Sequence, residues 1–323
     1  MWARSTALGL GLALLAAAAC GPTAEPTVVA DVAAVAPARP VPPPVVPRID
    51  AALQARLRAV VAVGRARGNR PGVFAKVGDS ITASRDFLVP IGCGPVEYGR
   101  WSRLRATVER WSTPVAPGWL DPGCPVVSSF TRVGASAAPG WQVGDLVRPR
   151  TAADALCPPP ARSAVECELD AIQPTLALVE IGSNDVVTHD GERIDPDGIR
   201  RFEPQLRQLL RAILEHGVVP VVSTVPPRHR PVEADQLVLQ LNRSIVRIAG
   251  EERVPVWNYW RALQSSSQFG MAYDWVHPSP APTGAGDLRD PAMGWGYNVR
   301  NLTALQVLEK VGRVVLDDGA PDA

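Results

Sequence analysis

Residues 175–185 read TLALVEIGSND: Thr175, Leu176, Ala177, Leu178, Val179, Glu180, Ile181, Gly182, Ser183, Asn184, Asp185. The first seven are apolar apart from the threonine and one glutamate, with no polar residue at alternate positions. A strand covered on one face alternates apolar with polar; a parallel strand covered on both faces reads as a continuous apolar run. Thr175–Ile181 is the second kind. It stops at a glycine and delivers three polar residues to its carboxyl end. The same grammar recurs along the chain. Residues 73–77 form a short apolar strand that ends at Gly78, Asp79 and Ser80. Val126 to Val133 reads as a second strand, followed by Gly134. Val218 to Thr224 is a fourth, stopped by Pro226 and Pro227, and Val254 to Trp257 a short fifth. Between them apolar residues recur at helical spacing over residues 49–67, 199–216 and 233–249, with a last helix over 302–316. Strands alternating with helices predict an α/β fold with a parallel sheet. In such sheets function gathers outside the carboxyl ends of the strands.

The rest of the 323 residues divides around this pattern. Hydrophobic residues make up 46% and charged residues 20%, which supports a sizeable core. Basic and acidic residues balance at 33 against 32. A chain without a basic stripe is poorly suited to nucleic acid, where phosphate contacts dominate affinity. No internal repeat is present.

Residues 1–19 carry one charge, Arg4, before a small and apolar run from Thr6 to Ala19. That run is too short to span a bilayer and suits the core of a signal peptide. It ends Ala17-Ala18-Ala19-Cys20, which resembles the lipobox of bacterial lipoproteins, with Ala17 where that motif usually has leucine. The resemblance implies cleavage before Cys20, lipidation of its thiol, and an exported chain anchored in the cell envelope. Gly21 follows in place of the aspartate of inner-membrane retention signals, so the outer membrane is favoured. The anchor is the expected membrane contact. Residues 21–48 hold eight prolines among Ala, Val and Thr and read as a semi-rigid tether. The expected organisation is a leader at 1–19, the anchor and tether at 20–48, and one domain at 49–323.

Four further cysteines remain: Cys93, Cys124, Cys157 and Cys167. An oxidising compartment makes two disulfides the default, and three pairings are open. Cys93–Cys124 with Cys157–Cys167 is favoured because each pair brackets a Pro/Gly-rich loop. No C-x-x-C or Cys/His pair stands at zinc-ligand spacing, so no metal is expected.

The residues that follow the strands form an ordered series. Gly78-Asp79-Ser80-Ile81 is followed by Gly134, in Arg132-Val133-Gly134-Ala135-Ser136, then by Gly182-Ser183-Asn184-Asp185, and late in the chain by Asp274-Trp275-Val276-His277. Taken singly, each is an ordinary turn. In this order they resemble the SGNH hydrolases, the GDSL-type esterase superfamily, over roughly residues 73–316. Ser80 matches the nucleophile block, with Ile81 in place of the usual leucine. Asn184 matches the Gly-x-Asn-Asp block, Asp274 and His277 the Asp-x-x-His block, and Gly134 the glycine block, with Gly140 and Gly144 nearby. The resemblance implies a three-layer α/β/α sandwich with a mainly parallel five-stranded sheet and a monomer needing no cofactor.

The chemistry accounts for these residue types. A serine hydroxyl is a weak nucleophile until a base takes its proton, and His277 can do so near neutral pH. Asp274, three residues before it, can fix the imidazole tautomer. The oxyanion formed by attack on an ester needs preorganised donors: the Ser80 N–H, the Gly134 N–H and the Asn184 amide. Asp79 and Asp185 are expected to support loops, His216 to end a helix, and His229 to be solvated. Trp275 and Trp295 are either a sugar platform or packing. The expected activity is hydrolysis of an acylated carbohydrate or a short-chain ester. The alternatives are a lipase or lysophospholipase, and a binding lipoprotein with a vestigial triad. The chain has no G-x-S-x-G elbow, P-loop or H-E-x-x-H motif.

Overall fold

The computed structural model describes residues 42–115, 119–120, 124, 126–149, 157, 162–317 and 322. The expected leader, Cys20 and most of the tether lie outside these residues. Four strands form the main sheet: β1 (Arg70–Gly78), β4 (Pro174–Glu180), β5 (Val219–Ser223) and β6 (Val256–Trp257). They pair in the order β1-β4-β5-β6, every pair parallel. β2 (Trp119–Leu120) and β3 (Arg132–Val133) form a separate antiparallel pair.

Strand alternation sorts the core into two halves, one on each face of the sheet. Phe74, Leu176, Leu178, Val219, Val221 and Trp257 pack with helices Ala51–Ala66 and Gly296–Val315. Val73, Ala75, Val77, Ala177, Val179 and Val222 pack with helices Ala164–Ile172, Gly198–Glu215 and Ala234–Glu252. Both faces of β4 are therefore covered, and all seven of its residues are buried. This is the three-layer α/β/α arrangement.

The main sheet has four strands where five were expected. The segment 126–133 fails to extend because its hydroxyls bond to nearby backbone. Thr131 Oγ1 accepts from Ser128 N at 2.9 Å and donates to Val126 O at 2.8 Å. Thr131 N closes a turn onto Ser128 O at 3.1 Å. Ser129 Oγ then accepts from Phe74 N at 2.8 Å, so a side chain replaces a ladder bond on the edge of β1. Only Arg132–Val133 is strand, and a single parallel bridge joins Ala137 to Gly78.

Two other departures have local causes. The helix Ala164–Ile172, unread from the sequence, starts at a reciprocal cap. Ser163 N donates to Glu166 Oε2 at 3.0 Å, and Ser163 Oγ receives Glu166 N at 3.4 Å. The last helix begins at Gly296 instead of Leu302, because its first turns bury the polar residues Asn298, Arg300 and Asn301. These interrupt the apolar pattern without interrupting the helix.

The packed body begins at Pro42. The carbonyls of Pro42, Pro43 and Val45 accept from Arg261 Nη1, Asn258 Nδ2 and Asn258 N at 3.1, 2.8 and 3.0 Å. The last residues of the expected tether are thus seated on the domain. At its start and end the body closes on itself. Ile49 N donates to Asp322 Oδ2 at 2.8 Å, and Asp322 N donates to Ile49 O at 2.7 Å. Among the described residues no helix is long and apolar enough to cross a membrane.

Candidate active site

The carboxyl ends of β1 and β4 meet so closely that Gly78 has no room for a side chain. A Cβ there would stand 2.1 Å from Glu180 O and 2.4 Å from Thr82 Oγ1. Directly after it, Asp79 caps the one-turn helix Ser80–Ala83, its Oδ1 accepting from Ile81 N at 2.9 Å. Ser80 is therefore the first residue of a turn held from below. Asp79 is fully buried and its Oδ2 is without a hydrogen-bond partner among the described residues. Burial, reinforced by nearby Glu180, pushes its carboxyl well above the usual range.

Ser80 Oγ lies 2.9 Å from His277 Nε2, and His277 Nδ1 lies 2.6 Å from Asp274 Oδ2. The last two residues sit on a tight turn. Met271 and Pro278 bridge at its base, Ala272 N donates to His277 O at 2.8 Å, and Trp275 N donates to Ala272 O at 2.9 Å. Asp274 Oδ1 accepts from the N–H groups of Val276 at 3.0 Å and His277 at 2.9 Å. Partial burial raises the Asp274 carboxyl, but these bonds and the imidazole outweigh it and hold it below its ordinary value.

Asn184 enters from the end of β4. Its Nδ2 donates to Trp141 O at 3.0 Å, and its backbone carbonyl accepts from Gln142 Nε2, also at 3.0 Å. An amide nitrogen carries two hydrogens, so among the described residues one N–H is left after the Trp141 bond. On its other side Arg228 Nη1 approaches Asn184 Oδ1 at 3.5 Å. Asp185 turns away from this group. Both its oxygens accept from Val143 N at 3.2 Å, and burial pushes its carboxyl up to about 7. Asp79 and Asp185 thus sit as loop supports.

Gly134 lies against a buried ion pair. A Cβ there would meet Glu168 Oε1 at 2.5 Å, and Glu168 also receives Arg132 Nε at 2.7 Å and Ala135 N at 2.7 Å. The segment reaches the end of β1 slightly later, where Gly78 N donates to Ser136 O at 2.9 Å. Ser80, His277 and Asp274 are joined by hydrogen bonds, while Gly134 packs beside Glu168. His229, expected in solvent, is half-buried. Its ring lies 5.7 Å from Trp275 and 5.9 Å from Phe269.

Sequence reading missed the group beneath the nucleophile. Arg300 Nη2 pairs with Glu180 Oε2 at 2.8 Å, both side chains 1% exposed. Its Nη1 donates to Ile81 O at 2.5 Å and its Nη2 to Thr82 Oγ1 at 2.9 Å. The guanidinium also lies 3.7 Å from the Phe87 ring centre. A charged residue in an apolar helix pattern was the available signal for Arg300, as the lone glutamate in TLALVEI was for Glu180. The structure also pairs Cys93 with Cys124 and Cys157 with Cys167, at Cα separations of 4.6 and 5.1 Å.

Residues 76–281 match the GDSL-like lipase/acylhydrolase family. No curated protein matches the chain. Several solved structures are similar. A GDSL-like lipase from Bacteroides thetaiotaomicron is 13% identical, covering 80% of this chain and 99% of its own, with a TM-score of 0.43. An acetylxylan esterase from Geobacillus stearothermophilus is 16% identical over 74% of this chain and 94% of its own, also with a TM-score of 0.43. A psychrotrophic esterase from a Pseudoalteromonas species is 12% identical over 74% and 97%, with a TM-score of 0.42. The family match takes in the hydrogen-bonded Ser80, His277 and Asp274 and, at the end of β4, Asn184, and with it the chain belongs to the GDSL-like lipase/acylhydrolase family.

Proposed function

We propose that the protein is a serine esterase that removes acetyl or other short acyl groups from a carbohydrate or small ester. The observation that carries this reading is the continuous relay from Ser80 Oγ through His277 to Asp274. His277 Nε2 takes the Ser80 proton as Oγ attacks the ester carbonyl, and later returns a proton to the leaving alcohol. Asp274 fixes the tautomer with the Nδ1 proton and stabilises the imidazolium. The oxyanion is received by the Ser80 N–H and the remaining Asn184 N–H. A further donor is assigned to the segment 134–138, which borders the end of β1 and includes Gly134. Water then hydrolyses the acyl-enzyme with His277 as base.

Release of acetate from 4-nitrophenyl acetate tests this. Ser80→Ala should abolish turnover and covalent labelling by a fluorophosphonate. Wild-type activity in that variant would sink the assignment. A panel of O-acetylated glycans against long-chain esters separates a short-chain esterase from a lipase. The lipobox-like Ala17-Ala18-Ala19-Cys20 supports an exported, envelope-anchored form. Cys20→Ala should then move the protein from the membrane to the soluble fraction.

A further inference from the structure

β4 and β5 are neighbours in the sheet, and each delivers one polar side chain beyond its carboxyl end. From β4 comes Asn184; from β5, after Val225, Pro226 and Pro227, comes Arg228. Arg228 is only 5% exposed, and arginine is seldom so deeply buried. Its side chain is held on two sides. Nε donates to Arg230 O at 3.0 Å, and a Cβ on Gly191 would stand 3.6 Å from Nη2. The next residue ties it to the turn of the base, where His229 N donates to Trp275 O at 2.9 Å. Burial pulls the guanidinium below its ordinary value, against the opposing influence of Asp79 and Asp274. One of these carboxylates precedes Ser80 in the chain and the other is bonded to His277.

The Asn184 amide can be turned two ways, exchanging its oxygen for its nitrogen. Only one of them offers an N–H to an oxyanion. The two flanks of the amide select between them. Trp141 O, 3.0 Å from Nδ2, can only accept; the guanidinium, with Nη1 3.5 Å from Oδ1, can only donate. Turned over, the amide would set oxygen against the Trp141 carbonyl and N–H against a cation. At 3.5 Å the Arg228 contact is a charge facing a dipole more than a short hydrogen bond. In a buried site such an attraction is strong and tolerates loose geometry. It also draws electron density toward Oδ1, which makes the N–H a better donor.

We infer that Arg228 is a positioning residue for the reaction: it fixes the orientation of the Asn184 amide and polarises the N–H that receives the oxyanion. The inference rests on the esterase reading of Ser80 and adds the group that makes Asn184 a dependable donor. Without Arg228 the amide keeps one constraint, Trp141 O, where it had two.

The test is a double-mutant cycle of Arg228→Met and Asn184→Ala on 4-nitrophenyl acetate. kcat is counted per site that a fluorophosphonate titrates to completion, so misfolded protein drops out. Arg228→Met alone should lower kcat about ten- to hundredfold with KM little changed, short of the roughly 10²–10³-fold cost of losing an oxyanion donor. In the Asn184→Ala background it should lower kcat by less than about twofold, because it acts through the amide. Arg228→Lys, which returns the charge, should recover part of the loss. If Arg228→Met fails to fold, Arg228→Gln takes its place in the cycle, with a smaller loss that again depends on Asn184. Losses that multiply in the double variant would overturn the inference, since Arg228 would then act independently of Asn184. So would wild-type kcat in the single variant, or a change confined to KM. Full activity in Ser80→Ala would instead sink the esterase reading, whatever Arg228 does.

Discussion

The nucleophile and its base are held in opposite ways. Ser80 stands on a turn fixed from beneath by the buried Arg300–Glu180 pair, which bonds to Ile81 O and Thr82 Oγ1. His277 and Asp274 sit on a solvent-facing turn, their side chains 37% and 47% exposed. The first region is rigid because its polar groups have no water to turn to. The second is held by backbone bonds and the Asp274 carboxylate within residues 271–278, and by His229 N donating to Trp275 O at 2.9 Å. Chemistry and stability should therefore separate under mutation.

Asp274→Asn should show the largest effect. We expect kcat on 4-nitrophenyl acetate to fall by about 10³–10⁴-fold, with the unfolding midpoint nearly unchanged. A large loss of stability would mean that the exposed turn supports the fold after all. Arg300→Met should do the reverse. It strands Glu180 as a buried, uncompensated carboxylate and should cost about 3–5 kcal/mol in urea unfolding. Arg103→Ala, which breaks the exposed Arg103–Glu309 pair, is the control and should cost under about 1 kcal/mol. Similar values for the two would remove the distinction drawn here.

Asn184→Ala tests the ground between them. Loss of an oxyanion donor should cost about 2.7–4 kcal/mol in the barrier, read as kcat, with KM little changed. Apart from the Arg103 control, the smallest expected effect is at Asp185, whose carboxyl is pushed up to about 7 by burial. Between its unfolded value near 4 and about 7 the folded protein binds the extra proton. Stability should therefore decline as pH rises through that window. Asp185→Asn keeps an acceptor for Val143 N–H and removes the charge. It should stabilise by about 2–4 kcal/mol at pH 8 and by little at pH 4. Parallel stability profiles for the two proteins would refute this.

What the sequence made legible follows from what water does to a pattern. The apolar runs of β1 and β4 and the polar residues just past them are local facts that drew attention to Ser80 and Asn184, and the order of the blocks added Asp274 and His277. The Arg300–Glu180 pair joins residues far apart in the chain, and its charges look like interruptions until the fold brings them together. The expected strand at 126–133 has suitable composition, yet Ser128, Ser129 and Thr131 could satisfy the backbone locally or along a ladder. Nothing in their order decides which. The cap at Ser163 was readable as a serine three residues before a glutamate, but the helix after it is short and the signal passed as loop.

Ile49, a few residues into the packed body, and Asp322, near its end, exchange two hydrogen bonds and so act as a clasp. Fraying at either end then requires opening at the other, and trimming one end also releases its partner. A version of the body with its ends joined by a short linker, and opened elsewhere, should fold without losing a strand of the main sheet.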